Sequence, residues 1–166
     1  MNQLFSLENK TAIITGGGKG LGAQMAHSLA EAGANIVLCS RNLDVCKRAC
    51  EILEENGTKT LALKCDITNQ NEIEQVINET KDKFGSIDIL INNSGTSWIS
   101  PFLEFPEEKW DKVLDVNVKG AFLFSQAVAK EMVKQGEGKI INIASVTGFG
   151  GTPPKLLDTI AYNTSK

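Results

Sequence analysis

Two groups of residues have the types and spacing to do chemistry together. Tyr162 and Lys166 stand four apart, and on a helix residues four apart share a face. A cation beside a phenol stabilises the phenolate, so the pair suits a general acid/base with its tuning charge. About 140 residues upstream, Thr15-Gly16-Gly17-Gly18-Lys19-Gly20-Leu21-Gly22 has the spacing G-x-x-x-G-x-G. Small residues there allow a tight turn and close approach to a pyrophosphate, and the following helix offers free N–H groups. A proton-exchanging phenol and a dinucleotide loop in one chain suggest proton transfer coupled to hydride transfer. Neither motif is specific alone: Tyr-x-x-x-Lys occurs by chance on surface helices, and a glycine turn can simply pack a strand against a helix.

The elements needed to position these residues can be read along the chain. Thr11 to Thr15 is a short apolar run before the glycines and reads as a buried strand. A helix from Gly20 to Ala32 follows, ended by Gly33. Asn35 to Ser40 is a second strand, Leu43 to Glu55 a second helix and Lys59 to Lys64 a third strand. A helix from Asn69 to Phe84, closed by Gly85, leads to a fourth strand, Ile87 to Asn92. Glu107 to Lys134 carries a long helical pattern with a break expected near Asn117, and Lys139 to Ala144 is a fifth strand. Ser145 to Ile160 reads as loop. Alternating strands and helices imply a parallel sheet covered on both faces. The expected fold is therefore α/β, a doubly wound Rossmann-like sheet ordered 3-2-1-4-5, in one domain over residues 1–166. Ligand is expected at the carboxyl ends of the strands, between strands 1 and 4.

Composition narrows the function classes. The 166 residues carry 17 Lys and Arg against 20 Asp and Glu, a net charge of -3. That balance gives no support to nucleic-acid binding, which usually needs a basic face. The N-terminal residues contain no long apolar run, so neither a signal peptide nor a membrane span is expected there. Cys39, Cys46, Cys50 and Cys65 lack metal-ligand spacing and His27 is the sole histidine. Buried, reduced thiols in a cytoplasmic protein without a metal are the expectation.

Thr15-Gly16-x-x-x-Gly20-x-Gly22, Asn92-Asn93-Ser94-Gly95, Asn117, Ser145 and Tyr162-x-x-x-Lys166 occur in one order along the chain. On these motifs the sequence resembles the short-chain dehydrogenase/reductase family over essentially its whole length. The resemblance implies an NAD(P)-dependent oxidoreductase of carbonyls and alcohols. It implies that Gly16, Gly20 and Gly22 hold the diphosphate, that Asp66 contacts the adenine and that Asn93 lines the ribose side. Lys19, Leu21, Ser40, Arg41, Ile67 and Gly95 complete the expected cofactor set. Asn117 is implied to support a proton-relay water, Ser145 to hydrogen-bond the substrate oxygen and Tyr162 to act as general acid/base. Lys166 is implied to tune Tyr162 and to bind the nicotinamide ribose.

Elementary chemistry agrees with these roles. Carbonyl reduction needs a hydride at carbon and a proton at oxygen, and an ordinary phenol titrating near ~10 is a poor base without help. Ser145 has no neighbouring histidine to activate it, so hydrogen bonding suits it better than covalent catalysis. Ser40 stands where an NAD site usually offers an acid, with Arg41 beside it and Lys19 in the glycine loop. Those cations favour NADP(H) over NAD(H), although Arg41 stacking on adenine would suit either.

The sequence also departs from the family pattern. Ser94 stands where alanine is common, and Ser145 lies seventeen positions before Tyr162, longer than in many relatives. The extra residues fall within Gly151 to Ile160, beside the expected substrate pocket. That stretch, with Ala161 to Lys166, resembles gluconate 5-dehydrogenase-type members of the family. A sugar acid or other small ketone is the expected substrate class, with acyl-carrier-protein ketoacyl reduction and general ketone reduction left open. The resemblance also implies further helix and strands after Lys166, so that an N-terminal portion of an enzyme is expected. A homodimer or homotetramer through the long helix is implied for the intact protein. The alternative is a non-catalytic nucleotide-binding or interaction module.

Overall fold

The computed structural model describes residues 3–151, 153 and 157–166. The expected contribution of Thr152, Pro154, Lys155 and Leu156 to the substrate side lies outside the described residues.

Five parallel strands form one sheet in the order β3-β2-β1-β4-β5. They are β1 (Thr11–Thr15), β2 (Asn35–Ser40), β3 (Thr60–Lys64), β4 (Ile89–Asn92) and β5 (Lys139–Asn142). The crossovers are α1 (Gly20–Glu31), α2 (Leu43–Glu54), α3 (Gln70–Phe84), and the pair α4 (Glu107–Leu114) and α5 (Ala121–Gln135). A last helix, α6 (Ile160–Ser165), carries Tyr162. Alternate residues of each strand point to opposite faces. Ile13, Val37 and Leu90 therefore pack under α3 and α5, against Ile73, Val76, Phe124 and Val128. Ala12, Ile14, Ile36 and Leu38 face the other way, against α1 and α2, with Ala26, Cys46, Cys50 and Leu53. All four cysteines are buried and unpaired.

Local signals end the helices. Asn42 caps α2 by accepting from the amides of Asp44 and Val45, and Asn69 caps α3 by accepting from Asn71 and Glu72. Both are N-caps rather than first helical residues, which sets the start of α3 at Gln70. The expected break near Asn117 is a π-helical segment, Asp115–Gly120, joining α4 to α5. Such segments insert an extra residue into the helical ladder.

Three strands are shorter than expected: β3 by one residue, starting at Thr60, and β4 and β5 by two each. The Ile87 amide donates to Gln135 Oε1 at 3.1 Å and its carbonyl accepts from Gln135 Nε2 at 3.0 Å. A side chain thus replaces the ladder there, and β4 begins at Ile89. At the other edge, the Ile143 carbonyl accepts from Lys166 Nζ at 2.8 Å, and β5 ends at Asn142. The outer side of β5 is exposed, including Ile140 and Ile141. The expected loop from Ser145 contains a short 3-10 turn, Val146–Phe149.

Among the described residues, no helix is long and apolar enough to cross a membrane, and no group of three or more His, Cys, Asp or Glu could hold a metal ion. At the amino end of the sheet, Asp88 accepts from the Thr11 amide at 2.9 Å, Ser86 Oγ at 2.7 Å and Lys10 Nζ at 3.1 Å. Lys10 also donates to Glu137 at 2.6 Å. This cluster ties β1 to the chain entering β4 and β5, at the end of the sheet away from the glycine loop.

Candidate active site

The carboxyl ends of β1, β2 and β4 open into a cleft of about 500 Å³. Gly16, Lys19, Gly20, Leu21 and Gly22 form one wall, and Ser40, Arg41, Asp66 and Ile67 form the far end. Asn93 and Gly95 form the opposite rim. All the expected cofactor residues other than Tyr162 and Lys166 therefore line one cavity. Asn42, Cys65, Ser94 and Val116 line it too, which sequence reasoning missed. Ser94 and Cys65 adjoin predicted residues, whereas Val116 arrives only through the π-segment.

The glycine loop keeps its shape for identifiable reasons. Gly16 has φ of 64°, a left-handed conformation that a side chain disfavours. A β-carbon added at Gly22 would lie 2.6 Å from Asn93 Nδ2 and 2.7 Å from the Gly16 carbonyl oxygen. Lys19 caps α1 with extended backbone and makes no side-chain capping bond, and the first turn holds no acid. The N-terminal amides of α1 are thus left for a ligand anion.

Asn93 does more than line a wall. Its Nδ2 donates to the Thr15 carbonyl at 2.9 Å and the Gly16 carbonyl at 3.2 Å. Thr15 Oγ1 accepts from the amides of Asn93 and Ser94 at 3.1 and 3.0 Å. The end of β4 is therefore stapled to the glycine loop. At the far end, Ser40 Oγ donates to the Asn42 carbonyl at 2.8 Å, so its proton serves the turn rather than the cleft. Arg41 and Lys19 are exposed cations. Burial alone would push the Asp66 carboxyl up, but bonds from the Thr68 amide and hydroxyl and the Arg41 charge outweigh it and hold it below the usual range.

The second group gathers around α6. Lys166 Nζ lies 5.9 Å from the centre of the Tyr162 ring. Burial pushes the Lys166 ammonium below its ordinary value. Asn117 Oδ1 accepts from the Thr96 amide at 2.8 Å, and its Nδ2 donates to the Thr96 carbonyl at 2.9 Å and to Ser165 Oγ at 2.8 Å. Ser165 Oγ in turn donates to the Tyr162 carbonyl at 2.8 Å. The Asn117 amide donors are all taken by protein groups, so the side chain holds the chain after Gly95 against α6. Thr96 and Ser165 are parts of this network that no sequence motif marked.

Ser145 caps the 3-10 turn, its Oγ accepting from the Thr147 amide at 3.3 Å and lying 2.8 Å from Thr147 Oγ1. Gly148, next in the turn, sits so close to the Lys166 backbone that a β-carbon would collide with it. The two groups meet at Gly95, where an added β-carbon would lie 3.5 Å from Asn117 Oδ1 and 3.9 Å from Lys166 Nζ. The Lys166 ammonium thus lies near the cleft rim at Gly95, with the Tyr162 ring 5.9 Å from it.

Comparison with known proteins gives the same direction. The sequence model of the short chain dehydrogenase family matches residues 10–166. An NAD-dependent glycerol dehydrogenase from Listeria innocua is 41% identical over 141 residues, covering 85% of this chain and 54% of that protein. A 5-keto-D-gluconate 5-reductase from Escherichia coli is 38% identical over 146 residues, covering 88% of this chain and 58% of that protein. The crystal structure of a gluconate 5-dehydrogenase from Burkholderia cenocepacia, in complex with NADP and tartrate, superposes with a TM-score of 0.89 at 34% identity. That match covers 98% of this chain and 62% of the other. The chain therefore spans somewhat over half the length of these relatives.

Proposed function

The chain belongs to the short-chain dehydrogenase family, and from that membership we propose that it is an NAD(P)-dependent oxidoreductase interconverting a carbonyl and an alcohol, on a sugar acid or another small ketone. The observation that carries this reading is the meeting at Gly95 of the glycine-loop cleft with Lys166 and Asn117. The uncapped α1 and the crowding at Gly22 fit a diphosphate group close to backbone. Bound nicotinamide supplies or accepts the hydride. Tyr162 exchanges the proton with the substrate oxygen, assisted by the Lys166 charge, and Ser145 hydrogen-bonds that same oxygen. Asn117 keeps the Thr96 backbone and α6 in register, so that Tyr162 faces a fixed site.

NADP(H) is the preferred cofactor in this reading, and NAD(H) the lesser one. Support comes from Arg41 at the cleft's far end and Lys19 in its glycine-loop wall, both exposed, with serine rather than a carboxylate at position 40. Ser40 contributes little, because its hydroxyl already donates to Asn42. The sugar-acid class is supported by the gluconate-type relatives.

The full-length protein associates with itself in this reading. Support comes from Val118 in the π-segment and Phe122 at the start of α5, both exposed, while Met132 packs inward and Ser125 binds Asn92. Sedimentation of the full-length protein should give a dimer or tetramer, and a monomer at micromolar concentration would end that claim.

The central test is twofold. NADPH and NADH are titrated by fluorescence, and turnover is followed with 5-keto-D-gluconate, glycerol and gluconate in the matching direction. Binding together with turnover supports the enzyme. Binding without turnover on any of these, by a folded full-length protein, favours a nucleotide-binding module instead.

A further inference from the structure

We propose that Thr147 is a positioning residue that fixes the Ser145 hydroxyl as a hydrogen-bond donor toward the substrate oxygen. This rests on the oxidoreductase reading above and assigns a residue that reading does not use. Ser145 Oγ has two lone pairs and one proton. One lone pair accepts the Thr147 amide at 3.3 Å. Thr147 Oγ1 lies 2.8 Å from the same oxygen, and either hydroxyl could be the donor.

The two directions have opposite consequences. If Ser145 donates to Thr147, its only proton is used inside the turn and it can offer the substrate nothing but a lone pair. A carbonyl oxygen is itself an acceptor, so that arrangement cannot stabilise the charge developing on it. If Thr147 donates, both lone pairs of Ser145 Oγ are occupied from one side. The proton is then the one function left, and it must point out of the turn. Two donors on one oxygen also polarise it, strengthening the remaining O–H as a donor. Carbonyl reduction demands this second direction, since a preorganised donor at the oxygen lowers the barrier.

The frame that holds Thr147 is rigid on both sides. Upstream, the Ile143 carbonyl accepts from Lys166 Nζ at 2.8 Å. Downstream, Gly148 lies against the Lys166 backbone with no room for a side chain. The turn bearing Ser145 and Thr147 is thus fixed against the residue that also sits beside Tyr162. Within that frame the Thr147 hydroxyl is the group that selects which way the Ser145 proton faces.

The experiment compares Thr147→Val, Thr147→Ala and Thr147→Ser with Ser145→Ala in the full-length protein. Valine keeps shape and the backbone amide, alanine gives a second loss of the hydroxyl if valine disturbs folding, and serine restores the hydroxyl. Substrates are 5-keto-D-gluconate with NADPH and NADH, and glycerol with the oxidised cofactors. The expected result is a fall in kcat of about tenfold in Thr147→Val and Thr147→Ala, the effect of one hydrogen bond. NAD(P)H affinity and melting temperature should stay near wild type, and Thr147→Ser should recover most of the rate. If Ser145→Ala is impaired while Thr147→Val and Thr147→Ala turn over normally, the positioning role is wrong and the oxidoreductase reading stands. A Thr147→Ser as slow as Thr147→Val also overturns the role, because shape rather than the hydroxyl would then matter. Absence of turnover in folded wild type on every substrate overturns the reading and the inference together.

Discussion

Tyr162 is the group whose loss should be felt most sharply. Phenylalanine keeps the ring and its packing near Lys166 but removes the proton. Tyr162→Phe in the full-length protein should lower kcat by about 10²–10⁴-fold, or roughly 3–5 kcal/mol of barrier, with NADPH affinity nearly unchanged. Steady-state rates alongside fluorescence titration check this, and near-normal turnover at neutral pH would remove Tyr162 from the mechanism. Arg41 carries a separate expectation. Arg41→Ala should weaken NADPH binding by roughly tenfold to a hundredfold, the scale of one charge-assisted bond, while NADH changes far less. Equal losses for both cofactors would mean that Arg41 contacts adenine rather than a 2′-phosphate. Residue types at the cleft were readable from sequence because they recur in fixed order around Gly16 and Tyr162. The Asn93 staple to Thr15 and Gly16 was not, since it spans 77–78 positions and depends on β1 and β4 being neighbours. The bond between Asn117 and Ser165 was hidden for the same reason.

Elements rather than single groups decide whether the cleft exists. The loop between β1 and α1 meets β4 so closely that Gly22 has no space for even a methyl group. Two of the obstructing atoms belong to backbone and to a side chain already held by two bonds, so neither yields cheaply. Gly22→Ala should therefore reduce NADPH and NADH affinity alike, by more than about tenfold, and lower stability by about 1–3 kcal/mol as overpacking does. Calorimetric titration and thermal melting read both effects, and wild-type affinity in this variant would mean the loop is free to move. β1 and β2 were legible to the residue, because apolar runs bounded by glycine and polar turns leave little choice. β4 was two residues short of its apolar run, because Gln135 of α5 satisfies the Ile87 backbone. No local pattern announces a side chain arriving from 48 positions away. The break near Asn117 was expected from the long helical pattern, but its π form was not, because Asn117 is held by Thr96 and Ser165 on two other segments.

Across the whole molecule, stability at the amino end of the sheet should depend on pH through Asp88. Burial alone would push this carboxyl up, yet the bonds from Thr11, Ser86 and Lys10 outweigh it and hold it below the usual range. A carboxyl whose folded value is depressed stabilises above its unfolded value, near ~4, and that stability is lost as pH falls through the folded value. Asp88→Asn should cost about 1–3 kcal/mol at neutral pH. The gap to wild type should narrow steadily below about pH 4. Urea unfolding at several pH values measures this, and a gap independent of pH would show that shape rather than charge matters at this position. The strand order itself was legible from the alternation of elements and the placement of the glycine loop.

That order has a consequence for how the chain is made. Ile13 of the central strand pairs with Val37 on one side and with Leu90 on the other. The first partner leaves the ribosome 24 residues later, the second 77 residues later. At about 5–20 residues per second, β1 waits roughly 4–15 s with one edge unpaired. During that interval β1, α1, β2, α2 and β3 can assemble into half a sheet, but Asn93 has not yet been synthesised to staple the glycine loop. The nascent N-terminal half therefore carries the glycine loop without the two bonds that Asn93 donates to it. The glycine loop reaches its stapled form only after β4 docks, which makes that docking the step that completes the cleft.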